Sequence, residues 1–85
     1  MSSTVARETI QLTYPIMSDG VETDTLHIRR PKVSDMLAAE GAKGSEARKE
    51  INMFATLCEV SPAAIEELDL KDYRQLQKAY ESFLS

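Results

Sequence analysis

The reactive side chains of this sequence stand mostly alone. His27 is the only histidine and Cys58 the only cysteine, and neither has a second His or Cys at ligand spacing. Cys58 lies on the apolar helical stripe Ile51, Phe54, Ala55 and Cys58, and so reads as a packed thiol and not as an activated nucleophile. The acids Glu66, Glu67, Asp69 and Asp72 sit close enough in the chain for acid–base work. Two of them, however, stand where helix N-termini favour acids, and the others fall on polar faces. A chain of 85 residues is also too short for a deep cleft. It carries no glycine-rich phosphate loop, nucleophile elbow or Cys-x-x-Cys pair. The expectation is no catalytic residue, no metal ligand, no cofactor and no enzyme.

One cluster is left to explain. Arg29, Arg30 and Lys32 crowd around Pro31 in the run Leu26-His-Ile-Arg-Arg-Pro-Lys-Val-Ser-Asp-Met36. Leu26 and Ile28 alternate as a strand would, Pro31 cannot extend a sheet ladder, and Ser34 and Asp35 are candidate caps for a helix that follows. The cations can serve as a solvated edge that discourages strand pairing, as an internal partner for the acidic last helix, or as forks for carboxylates on another protein. Phosphate contact would instead make the chain a small DNA-binding or regulatory module. A net charge of −4, three Tyr, two Phe and no Trp argue against nucleic acid as a partner.

The elements that position these groups follow from pattern. Residues 1–7 read as a flexible leader and residues 8–85 as a single domain. Ile10, Leu12 and Tyr14 alternate along a first strand that Pro15 is expected to end. Ser18-Asp19-Gly20 marks a turn, and a second strand runs from about Glu22 to Arg29. Val21 is out of phase with Leu26 and Ile28, a hint of a bulge or of a strand that starts later. Helices are expected from Val33 to about Ala42 and from Ser45, as N-cap, to Glu59. A short helix follows Ser61-Pro62 and carries Ile65 and Leu68; a last one, capped by Asp69 with Asp72 as a capping-box acid, runs from Leu70 to about Leu84. The fold class is α+β: a two-stranded antiparallel hairpin followed by three to four helices. A lone hairpin is marginal in water, so those helices must cover its apolar face. No stretch approaches the ~20 apolar residues that span a bilayer, and a single cysteine fits a reducing compartment.

Read in order, these pieces resemble the small E-type tail assembly chaperones of contractile-tailed phages and related prophages. The resemblance rests on Ile10-Gln-Leu12 and Pro15, on Gly20 before Leu26-His-Ile28-Arg29-Arg30-Pro31-Lys32, and on Asp35-Met36. It continues through Leu57-Cys-Glu-Val60-Ser61-Pro62 to Ile65, Leu68, Asp69, Asp72, Leu76 and Phe83-Leu84, covering about residues 8 to 84. The chain departs from the pattern at Cys58-Glu59-Val60, where related sequences often have a Thr-Gly turn. The resemblance implies a non-catalytic protein of the host bacterium's cytoplasm. Its partners would be the tape measure protein, kept soluble during tail building, and the tail tube protein. Homo-oligomers are compatible with that role, and a minor structural tail protein is the rival within it. A long helical partner needs an apolar face to lie on. Met53 and Leu57, beside Ile51 and Phe54, and Met36 with Leu37 are the candidate contacts, and Arg29, Arg30 and Lys32 the candidate clamp.

Overall fold

Two antiparallel strands precede four helices in the computed structural model, which describes residues 7–85. Strand β1 spans Arg7–Ser18 and β2 spans Val21–Arg29; helices α1 to α4 span Val33–Gly41, Glu46–Cys58, Pro62–Glu66 and Leu70–Leu84. This is the expected α+β order, with all four helices present. Arg7 already belongs to β1, and the rest of the expected leader, residues 1–6, lies outside the described residues.

The turn between the strands has positive φ at both central residues, 52° at Asp19 and 81° at Gly20, which matches the right-handed strand twist. Ser18 therefore pairs with Val21, and β2 starts there. Pro15 does not end β1. Gln11 pairs with Thr25 and Ile16 with Thr23, so Leu12 to Pro15 bulge out opposite the single residue Asp24. The irregularity signalled by Val21 is real but sits on the other strand. Pro15 is tolerated because a bulged residue owes no ladder bond. The bulge also overturns the face assignment. Ile10, Leu12 and Ile16 point into the core, whereas Tyr14, in phase with them by sequence, is turned out to solvent.

The bulge is held from across the domain. Asp72, on the first turn of α4, is completely buried, and its two carboxylate oxygens accept the backbone N–H groups of Thr13 and Tyr14 at 2.9 and 3.0 Å. The capping-box role expected of Asp72 is thus replaced by a tie to the strand. Burial pushes its carboxyl up, but the two N–H donors outweigh that and hold it below the ordinary carboxylate range.

Around this tie the core is continuous. Leu26 and Ile28 of β2 face Phe54 and Leu57 of α2, Ile65 of α3, and Leu76 and Phe83 of α4 within one cluster. Phe54 sits between the rings of Tyr73 and Tyr80, with centroids 5.7 and 5.6 Å away in tilted geometry. Three helix starts follow the expected chemistry, whereas α1 begins after Lys32 and takes the expected cap Ser34 into its first turn. Ser45, Ser61 and Asp69 each accept a first-turn N–H with the side chain. Helix α2 ends in a Schellman motif, Val60 N–H to Ala55 C=O and Glu59 N–H to Thr56 C=O, with Glu59 left-handed at φ 60°, ψ 42°. The departure from the Thr-Gly pattern therefore keeps the turn and puts a side chain where glycine is favoured.

Candidate partner-binding surface

The basic joint is built inward. Arg29 lies at the last rung of β2, and its guanidinium forks onto Asp35 with two bonds of 2.9 Å. Asp35 is buried at the third position of α1, where the same carboxylate accepts the N–H of Lys32 at 2.8 Å. One acid therefore closes the N-terminus of α1 and fixes it to the strand. The Arg29 hydrogen bonds hold the Asp35 carboxyl below its usual range against the opposing effect of burial. Arg30 reaches the other way. It donates to the backbone carbonyl of Phe83 at 3.2 Å, and its guanidinium carbon stands 5.6 Å from the Phe83 ring centroid. A cation at a helix C-terminus meets orphan carbonyls and the negative end of the dipole. Arg30 and Lys32 are both exposed, whereas Arg29 is half-buried in its fork.

These contacts change what the joint can do. Arg29 and Arg30 are fasteners, one to α1 and one to the end of α4; Asp35 matches the Arg29 charge, whereas exposed Arg30 meets only a neutral carbonyl and a ring. Reversing them would disturb α1 and α4 before it tested any partner.

Helix α1 is inverted relative to an ordinary surface helix. Val33, Met36 and Leu37 occupy one helical face and are 69%, 53% and 62% exposed. The opposite face carries Asp35 and alanines. Ala38, Ala39 and Ala42 meet Asn52, Met53 and Thr56 of α2 across a crevice of about 70 Å³. Large apolar side chains point to water while Asp35 is buried and Ala39 and Ala42 are half-buried. The helix forms because its residues are good helix formers and Asp35 caps it. Its orientation is set by the Arg29–Asp35 fork. Val33 belongs to this face and extends the pair Met36 and Leu37; only the buried acid beside it, invisible to periodicity, identifies the outward side.

The remaining expected contacts separate. Leu57 is 0% exposed and packs between the sheet and the helices, so it is core and unavailable to a partner. Met53 is half-buried against the core edge. Cys58 is buried, and burial pushes its thiol up to about 12, which leaves it unreactive at neutral pH. His27 is exposed on β2 and its Nδ1 lies 3.2 Å from the hydroxyl of the opposite residue, Thr9. Glu66 is paired with Arg48 at 2.7 Å. Among the described residues no helix is long and apolar enough to cross a membrane.

The comparison with protein families decides what kind of molecule carries this face. Residues 9–85 match the family described as phage tail assembly chaperone proteins, E, or 41 or 14. The chain belongs to that family. The match takes in both strands from Thr9 onward and every helix. No curated protein and no solved structure matches the chain. Membership supports a role in tail assembly with phage tail proteins as partners.

Proposed function

We propose that this chaperone binds the tape measure protein through the outward face of α1 and keeps it soluble until tail tube subunits polymerise around it in the host cytoplasm. The single observation that carries this reading is the inversion of α1. Val33, Met36 and Leu37 together present on the order of 300 Å² of apolar surface, the size of patch that monomers carry where they bind something. A long helical cargo with apolar stripes is the natural complement, by helix-against-helix docking. Covering such a patch is worth about 7 kcal/mol before the cost of association. That suits a hold that must later be released. The two unbranched or γ-branched side chains, Met36 and Leu37, adapt to irregular partner surfaces.

Co-expression with the tape measure protein tests the reading. The wild-type chaperone copurifies with the cargo and raises its soluble fraction. Met36→Glu with Leu37→Glu abolishes capture while the circular dichroism spectrum stays unchanged. Capture that survives this double substitution removes α1 from the interface, and no capture by the wild type removes the tape measure protein as the cargo.

A further inference from the structure

A sheet of two strands leaves both outer edges unpaired, and the outer edge of β1 runs beside α4. Strand β1 pairs with β2 alone. A strand aims the N–H and C=O of alternate residues to opposite sides, so β1 turns backbone groups away from β2 as well as towards it. On that outer side lies a groove of about 610 Å³ between β1 and α4. It is lined by consecutive strand residues, Glu8 to Gln11, and by none from β2, so it follows the edge of the strand and not a face of the sheet. Its opposite wall is a flank of α4, where exposed Gln75, Lys78 and Ser82 recur at helical spacing. Buried Ile10 and Ala79 lie between the two sides.

One end of this edge is already satisfied. The Asp72 carboxylate takes the N–H groups of Thr13 and Tyr14, supplying the acceptors that a third strand would otherwise bring. From Gln11 back to Glu8, α4 supplies no such acceptor among the described residues; the Ser82 hydroxyl there turns to its own helix, donating to the Ala79 carbonyl. We infer that an extended, acidic segment of a partner protein adds to β1 as a third strand in this groove, alongside Glu8 to Gln11. Backbone groups presented in alternation are matched by another extended backbone, and main-chain bonds would supply most of the affinity. The charge of the segment follows from α4. Lys78 enters no ion pair among the described residues, and exposed Lys71, equally unpaired, continues the same flank at the Asp72 end. Glu8, the one acid of the lining, stands at the other end. Side chains that the segment turns inward meet Ile10 and Ala79, which suits small or β-branched residues. A third strand also strengthens a sheet that is marginal with two. The site shares no element with the outward face of α1.

Amide hydrogen exchange of the full chain, read by NMR with blocked peptides of about eight residues, is the test. The first peptide alternates valine with threonine and carries two central glutamates. The second has lysines in their place, and the third is the first with alternate amides N-methylated. In the free chaperone the outward amides among Glu8 to Gln11 should exchange fast at every protein concentration. The glutamate peptide at millimolar concentration should slow them about tenfold and shift the resonances of Lys78 and Ser82. The N-methylated peptide should do neither, because it has lost the donors of the new ladder. The lysine peptide should bind about fivefold more weakly, as should the glutamate peptide to Lys78→Glu. Ser82→Trp, at an exposed position, should fill the groove and abolish protection; circular dichroism checks the fold of each variant. Edge amides already protected in the free chain would mean that the chain itself covers the edge, and protection that grows with protein concentration would mean that a second copy does. Either overturns the inference. So does a glutamate peptide that leaves the edge unchanged, or one whose binding survives N-methylation. Met36→Glu with Leu37→Glu should leave peptide binding intact, so cargo capture and strand addition fail or succeed separately.

Discussion

Replacing Asp72 removes a fastener that joins the first strand to the last helix. Its carboxylate receives two backbone N–H groups and is 0% exposed. Each hydrogen bond to a charged acceptor contributes about 1.5–3 kcal/mol. Thr13 and Tyr14 are themselves exposed, so water recovers part of the loss, and Asp72→Ala should cost about 3 kcal/mol. Asp72→Asn keeps one acceptor oxygen but turns an NH₂ towards the second N–H, and should cost about 2 kcal/mol. Against the roughly 5 kcal/mol expected of so small a domain, the alanine variant is close to unfolding at 37 °C. Urea titration followed by circular dichroism reads this directly. With a slope near 1 kcal/mol per molar, the midpoint should fall by about 2–3 M at unchanged slope. The same carboxyl gives the pH dependence. Its folded pKa is depressed, so its contribution is present above the ordinary carboxylate value and is lost as pH falls below about 4. Asp35 acts in the same direction. A loss under about 1 kcal/mol for Asp72→Ala, or an asparagine variant as stable as wild type at pH 7, would show that the bulge is not held by this carboxylate.

Three further changes probe separate features. A double-mutant cycle with Arg29→Ala and Asp35→Ala should give a coupling of about 1–2 kcal/mol, because the pair is bidentate and half-buried; additive effects would mean that the fork does not anchor α1. Glu59→Gly should raise stability by about 0.5–1 kcal/mol, since it relieves a left-handed residue and gives up only a long, exposed contact to Arg7; a lower melting temperature would contradict this. Leu57→Ala should cost about 2–5 kcal/mol whereas Leu37→Ala should stay within about 0.5, and equal effects in urea melts would erase the distinction between core and docking face.

The elements were legible because their signals are local. Caps at Ser45, Ser61 and Asp69, the Asp19-Gly20 turn and Pro62 at a first helical position all act within a few residues of where they stand. The bulge was not, because its cause lies outside its neighbourhood: Pro15 locally reads as a stop, and only an acid on the last helix makes the continued strand affordable. The surface of α1 was half legible. Spacing groups Val33, Met36 and Leu37 on one face, but periodicity carries no sign, and a face of large apolar residues is ordinarily turned inward. Here the Arg29–Asp35 fork reverses it. Leu57 shows the complementary error. It flanks the main stripe of α2 by spacing, yet α2 is packed on more than one side, so the flank is interior too.

The tie between Asp72 and the β1 bulge also sets an order of events during synthesis. The hairpin leaves the ribosome first, but the acceptor for its two bulge N–H groups arrives almost sixty residues later. The Arg30–Phe83 contact closes over nearly as long a stretch. Such closures are entropically costly until the intervening chain is in place, and they slow folding. The strands therefore cannot reach their final register on their own. Helix α4 must be made before the hairpin is finished, and a product cut short before α4 would expose an unfinished hairpin.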